Sequence, residues 1–354
     1  MAEPQIDPDA LKRYSFNVWN FKQGEMVSLM IHIGDRLGLY RAMNGAGPLS
    51  AAELAARTGL KERWLFEWLR GQTAARLLDY HDPDRFELSP VGAAVLADES
   101  SSLAFAAGAF SPASTPEIVE KLCDAFRTGI GLSYEQLGAN AAHRTERMLG
   151  PWVRQALVPK IIPALDGVQA KLKHGAHVAD VGCGHGTTTV LMAKRYPGST
   201  FVGYDYHAES IAAAREEAAR EGVAERVRFE VASAKEYPGK GFDLVTVFDC
   251  LHDMGDPVGA AKHVRASLKD GGTWMIVEPF AHDRIEENLN PVGRVYYSAS
   301  TAICTPASRS QEVGLALGAQ AGEARLREVV QGGGFARFRR ATETPFNLVF
   351  EARA

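Results

Sequence analysis

Two acids bracket a glycine-rich run. Asp180 heads the heptapeptide Asp180-Val181-Gly182-Cys183-Gly184-His185-Gly186, and Asp205 stands 19 residues beyond the last glycine. Glycine at every second position lets the backbone turn sharply and come close to a ligand. A dinucleotide pyrophosphate calls for G-x-G-x-x-G, but counted from Gly182 the third position is Thr187. The run reads D-x-G-x-G-x-G instead. A carboxylate two residues ahead of the turn repels a phosphate and suits an ammonium, and one carboxylate at Asp205 suits the paired hydroxyls of a ribose. The plain alternative is a tight strand-to-helix turn that binds nothing. A second place for chemistry is Asp249-Cys250-Leu251-His252-Asp253-Met254. Histidine titrates in the range that suits removal of a proton from a hydroxyl; the alternative is a histidine that packs the loop.

These residues need a scaffold, and the flanking sequence supplies one. A short apolar strand, His177–Val181, runs into the glycines; a helix follows from about Thr187 to Arg195, and Pro197-Gly198 marks the turn beyond it. The next strand, Thr200–Tyr204, ends in Asp205. Strand, glycine turn, helix and strand make the first half of a doubly wound α/β sheet, whose ligands sit at the carboxyl ends of the strands. The alternation continues with a helix over Ala208–Glu221 and strands over Val227–Val231, Phe242–Phe248 and Thr273–Val277. Ser233-Ala234, the Asp249–Met254 loop and Glu278 therefore fall at the same sheet edge. Residues 280–322, with Tyr296 and Tyr297, have weak periodicity, which suggests a lid or binding loop. Helix Glu323–Gln331 and strands near Phe335–Ala341 and Phe346–Ala352 close the chain.

From about Lys171 onward the sequence resembles the class I S-adenosylmethionine (SAM)-dependent methyltransferases. The resemblance implies a Rossmann-like, seven-stranded α/β domain. It implies that Asp180 approaches the methionine ammonium, that Gly182, Cys183, Gly184 and Gly186 pass under the methionine moiety, and that Asp205 takes the ribose hydroxyls. Tyr206 would flank adenine; Ser233 and Ala234 would meet its edge, where the family often has Asp; Asp249 and Cys250 would line the cofactor cleft. The stretch LHDMGDP is similar to the L-H-D-x-x-D loop of small-molecule O-methyltransferases, which implies His252 as general base and Glu278 as the acid that orients it. A further family glutamate has no clear counterpart: Gln320 falls there, with Glu323 nearby.

Ahead of this domain, Ser50 and Glu53 form a capping box, a helix over about 61–75 follows, and Leu77–Tyr80 and Phe86–Leu88 can pair around Asp82-Pro83-Asp84. Three helices and a two-stranded wing read as a winged helix. DNA is disfavoured as its partner: residues 1–100 hold 11 Lys/Arg against 14 Asp/Glu, which is no footprint for phosphates. Trp64, Leu65, Trp68 and Leu69 suit a subunit interface or a core. The segments IGDRLGLY, LSAAELAARTGL and EWLRG make the whole chain similar to bacterial winged-helix methyltransferases once labelled transcriptional regulators. We expect a winged-helix dimerisation domain (1–100), a helical connector that walls the acceptor pocket (101–172) and a SAM-binding domain (173–354). In such families the connector touches the acceptor, which implicates Trp152, and Tyr296 and Tyr297 lie on the acceptor-side cover.

A net charge of −4 gives no reason to expect a polyanionic partner. Four scattered cysteines lack disulfide or metal spacing, and the opening decapeptide has no apolar signal core, so a soluble cytoplasmic protein is expected. The apolar face of Trp64, Leu65, Trp68 and Leu69, with the long N-terminal helix, motivates a homodimer through residues 1–100. The function expected is methylation of a small, mostly apolar acceptor, with O-methylation favoured. The alternative is a SAM-responsive regulator whose winged helix binds DNA.

Overall fold

Caps and prolines set the helices of the N-terminal unit. The computed structural model describes residues 6–100, 104–111, 114–137 and 141–354; the first five residues of the opening decapeptide lie outside them. The N-terminal unit comprises Met1–Ser114 with Arg147–Trp152. Helix α1 (Pro8–Arg36) starts with Asp7 as cap and proline at its first turn, and Gly38, with φ of 69°, separates it from α2 (Leu39–Met43). Ser50 and Glu53 close the expected capping box on α3 (Ala51–Thr58). Helix α4 (Glu62–Ala74), the hairpin β1 (Asp79–His81) with β2 (Arg85–Glu87), and α5 (Pro90–Leu96) complete a winged helix.

The hairpin is shorter than the apolar residues around it suggest, because Leu78 and Leu88 are buried in the helical core rather than carried in the ladder. Leu65, Trp68 and Leu69 also belong to that core. The Trp68 indole N–H donates to the carbonyl of Met30 at 3.0 Å, and its ring lies 5.2 Å from that of Tyr40. Only Trp64 of the expected apolar face is exposed, at 80%. The four residues split because α4 is wrapped on one side only, so positions i, i+3 and i+4 go inward while Trp64 stays out. The large apolar surface lies instead on α1, where Leu11, Tyr14, Phe16, Val18, Trp19 and Met26 are all exposed.

The second unit comprises Thr115–Glu146 and Val153–Ala354. It begins with α6 (Pro116–Thr128), capped by Thr115, and α7 (Ala141–Ala156), whose stretch Arg147–Trp152 clusters with the other unit. Helix α8 (Val168–His174) leads into the sheet. Strands β3 (His177–Val181), β4 (Thr200–Asp205), β5 (Val227–Val231), β6 (Phe242–Phe248), β7 (Leu268–Pro279), β8 (Arg337–Glu343) and β9 (Asn347–Arg353) lie in the order β5-β4-β3-β6-β7-β9-β8. All pairings are parallel except those of β9. Helices α9 (Thr187–Arg195), α10 (Ala208–Arg220) and α11 (Pro257–Ser267) link the parallel strands. The chain runs outward from β3 through β4 to β5 and returns to β6 on β3's other side. That reversal opens a crevice at the carboxyl ends of β3 and β6.

Residues 280–322 are more ordered than their periodicity suggests. They hold α12 (Pro291–Ala299), a π-helical turn (Ser300–Cys304) and α13 (Thr305–Arg309). The π turn shifts the side-chain phase between the two helices, so no single 3.6-residue stripe runs through them. Helix α14 (Gly322–Gly332) precedes the last strand pair. No described helix is long and apolar enough to cross a membrane.

Candidate active site

Asp180, at the end of β3, is 1% exposed. Its Oδ2 accepts from the hydroxyls of Thr188 and Thr189, both at 2.6 Å, and its Oδ1 accepts from Thr246 at 2.8 Å. Asp180 and Thr246 sit opposite each other in the β3–β6 register. Burial raises the carboxyl's pKa, and the three hydroxyl bonds oppose that rise. One side chain thus joins β3, β6 and the first turn of α9.

The glycine loop follows directly. Gly182 has φ of 73°, and a Cβ there would stand 2.5 Å from the Cys250 sulfur, so the loop rests against the segment leaving β6. Gly186, with φ of 80°, would meet the Phe229 ring at 2.6 Å. Gly184 lies between them with open space where its Cβ would be. Its N–H donates to Asp205 Oδ2 and the N–H of His207 donates to Oδ1, each at 2.9 Å. Each carboxylate oxygen keeps a second lone pair for a ligand. Burial raises the pKa of Asp205, against those two backbone bonds. The Cys183 thiol is buried and pushed well above its usual pKa, as a packing residue would be. Glu146 of α7 braces the loop, accepting from Thr187 Oγ1 at 2.7 Å and pairing with His185 Nδ1 at 2.5 Å.

Of the residues expected around adenine, Tyr206 is exposed beside Asp205, and Ser233 and Ala234 are half-buried at the end of β5. Asp249 ends β6 with φ of 54°, a conformation rare outside glycine. Its Oδ1 is sealed from solvent without a hydrogen bond, and burial pushes its pKa up to about 7. Such strain and orphaned polarity concentrate at functional sites. Cys250 Sγ points at the Val181 carbonyl, 3.4 Å away.

Two residues on, His252 is 4% exposed. Glu278, at the end of β7 and 1% exposed, places Oε2 2.5 Å from His252 Nδ1 and accepts from the N–H of Leu251 with Oε1 at 2.9 Å. The ring's other nitrogen, Nε2, faces Asp253 Oδ1 at 3.1 Å. Tyr134 donates to Asp253 Oδ2 at 2.8 Å, and Gln311 Nε2 donates to the Asp253 carbonyl at 2.9 Å. Burial pulls the imidazole's pKa down, but Asp253 and Glu278 outweigh burial and hold it well above the ordinary value. Burial pushes Asp253 up, and the facing imidazole more than reverses it, so its carboxyl stays below the usual value.

Comparison with known proteins bears on the family and the fold. Residues 172–320 match the family described as "Methyltransferase domain", and residues 25–98 match the Rv2258c-like winged HTH domain. The chain joins a winged-helix domain to a methyltransferase domain. The mitomycin 7-O-methyltransferase MmcR superposes with a TM-score of 0.73 at 21% identity, covering 98% of this chain and 100% of that one. Human N-acetylserotonin methyltransferase, solved with SAM, superposes with a TM-score of 0.70 at 17% identity, covering 100% and 99%. At these identities the likeness is one of fold. Trans-aconitate 2-methyltransferase of Paracidovorax citrulli is 34% identical over 30% of this chain and 40% of its own length. Demethylmenaquinone methyltransferase of Lactiplantibacillus plantarum is 31% identical over 37% and 55%. This chain therefore spans about half the length of the curated relatives it matches.

Within the methyltransferase domain and the helices of its unit, the fold gathers His252 and Glu278 as the sequence suggested, and adds Asp253, Tyr134, Gln311 and Cys304. Asp253 lay inside the LHDMGDP motif; Tyr134 and Cys304 come from segments 119 and 51 residues from it in the chain, with no spacing to reveal them. Tyr296 is half-buried, and its hydroxyl donates to the Phe346 carbonyl at 2.9 Å, whereas Tyr297 is exposed. Gln320 donates to the Phe280 carbonyl, at 3.1 Å. Trp152 belongs to the N-terminal unit and is half-buried.

The loop geometry yields a paired expectation. Gly182→Ala should destabilise the protein by about 1–3 kcal/mol, combining backbone strain with overpacking. Gly184→Ala meets no neighbour and should cost only the backbone share. Urea denaturation that ranks the two the other way would refute this account of the loop.

Proposed function

We propose that the chain is a SAM-dependent methyltransferase that acts on a small, largely apolar acceptor at oxygen, with His252 as general base. The observation that carries this reading is the buried Glu278–His252 pair at the carboxyl edge of the sheet, on the segment against which Gly182 packs. The residues fit the cofactor: Gly184 leaves open space in the loop, and Asp205 has lone pairs to spare beside it. Asp205 would hold the ribose hydroxyls, Asp180 would act on the ammonium through its charge, and Tyr206, Ser233, Ala234, Asp249 and Cys250 would border the nucleoside. Tyr296 and Tyr297 are assigned to the acceptor side.

SAM supplies an activated methyl group, so the protein's share is alignment and proton removal. Glu278 holds Nδ1 as a protonated nitrogen, so Nε2, once its own proton facing Asp253 is shed, would be the atom that takes the acceptor's proton. The two carboxylates raise the imidazole's pKa, so its neutral form is a stronger proton acceptor but is populated only as the pH rises. The named O-methyltransferase with the same fold supports oxygen as the acceptor atom. The DNA-binding alternative gains nothing from α4: Arg63 is paired with Glu67 and Arg70 with Asp84, both at 2.7 Å. We further propose a homodimer, formed through the exposed apolar residues of α1.

Three outcomes test this reading. Asp205→Ala should weaken SAM binding roughly tenfold to a hundredfold, the worth of about 1.5–3 kcal/mol in charge-assisted bonds; unchanged calorimetric affinity would remove the ribose assignment. His252→Ala should bind SAM nearly as well as wild type while single-turnover methylation of a phenolic acceptor falls by about 10²–10⁴. A folded variant that still transfers methyl at the wild-type rate ends the general-base reading. Light scattering should give a dimer at micromolar concentration, and Phe16→Glu with Trp19→Glu should shift it to monomer. A wild-type monomer, or a dimer indifferent to both changes, excludes the α1 interface.

A further inference from the structure

Methyl transfer leaves one member of the His252 cluster without a task, the thiol of Cys304. It closes the π-helical turn Ser300–Cys304 and is 7% exposed. One ligand atom each from His252, Asp253 and Cys304 falls within 4.8 Å of the others. We propose that these three side chains form a site for a soft divalent transition ion of the zinc type, and that the bound ion shuts off the base.

The donor set is the argument. Thiolate with imidazole selects zinc or cobalt over magnesium or calcium, which prefer all-oxygen shells. Glu278 holds Nδ1, which leaves Nε2 as the ligand and reproduces the carboxylate–histidine–metal arrangement of zinc sites. Asp253 is nine-tenths buried; Tyr134 engages its Oδ2, while Oδ1 is sealed from solvent and turned toward the His252 ring. That oxygen stands 3.1 Å from Nε2. Zinc bond lengths at a tetrahedral angle put such a nitrogen and oxygen about 3.3 Å apart, so two ligands are already spaced for one ion. The third, Cys304 Sγ, lies within 4.8 Å of both, against the roughly 3.6 Å that zinc–sulfur and zinc–nitrogen bond lengths require at a tetrahedral angle. Cys304 must lose its S–H proton and His252 must present a neutral Nε2; both protons leave to solvent as the ion enters. The ligands' charge then matches the ion's, a dication meeting one carboxylate and one thiolate, with Glu278 as a further carboxylate behind Nδ1. Three protein ligands leave a fourth position open. With its Nε2 bonded to metal, His252 has no lone pair for an acceptor's proton.

Cobalt(II) added to the full-length protein without SAM gives the test. A tetrahedral cobalt spectrum with a thiolate-to-metal charge-transfer band should appear at one equivalent and be displaced by zinc. Cys304→Ser should abolish the band and weaken binding at least tenfold, and Asp253→Asn should weaken it at least tenfold with the band retained. Cys123→Ser, which alters a thiol on α6, should leave the spectrum unchanged. Absence of the band in wild type, or its persistence in Cys304→Ser, would overturn the proposal. Should Cys304→Ser fail to fold, judged by its melting curve, the Asp253→Asn titration decides: undiminished affinity there overturns the site. The spectrum does not read methyl transfer, so this site and the general-base reading can fail separately.

Discussion

Burying a carboxylate in a sheet is costly unless its oxygens are engaged, and the methyltransferase domain is arranged around that constraint at Asp180. Three threonine hydroxyls meet the demand, one from the strand opposite and two from the first turn of α9. The bonds fix where β3 ends relative to β6 and where α9 begins. The glycine loop between them then has little freedom: Gly182 must lie on Cys250, Gly186 on Phe229, and Gly184 faces open space. Asp180 therefore shapes the binding crevice whether or not its charge is also felt by a ligand.

The same logic governs the second acid centre. Glu278 has both oxygens committed, one to the His252 ring and one to the Leu251 backbone. That double use holds the loop after β6 to the end of β7, so the imidazole cannot turn without breaking a buried carboxylate's contact. Asp253 then faces the other ring nitrogen, and Tyr134 fixes its remaining oxygen. A histidine held from both sides has a fixed orientation, and with Cys304 beside it the same constellation holds the donors of the proposed metal site. The two proposed roles exclude each other, because a base needs an open lone pair on Nε2 and the metal site fills it.

The N-terminal unit follows a different rule. Its core is small and closed by Trp68, Tyr40 and the leucines of α3 and α4, and Gly34 lies so close to the Trp68 ring that a Cβ would fall 2.5 Å from it. The helix that would read a DNA groove has its arginines tied to acids of the same unit. Apolar surface has moved from α4 to α1, where a row of aromatic and aliphatic side chains is exposed. A partner helix of the same chemistry would remove that surface from water.

Much of this was legible in the residues alone. The D-x-G-x-G-x-G run with Asp205 determined the turn, the strand-to-helix junction and the sheet edge, because each depends on local backbone freedom and a period of a few residues. Capping boxes, prolines and glycines likewise placed most helix ends. The strand ends put His252 and Glu278 at one sheet edge, since parallel strands bring their carboxyl termini together; that the two pair was implied by the family resemblance of the LHDMGDP loop. The split of the α4 face was not legible, because burial depends on what packs opposite and periodicity shows only which residues share a side. Nor were the three hydroxyls on Asp180, the hold of Tyr134 on Asp253, or the approach of Cys304 to His252. Those contacts join segments far apart in the chain, and no spacing in the sequence records a distance that only the closed sheet and the π turn create.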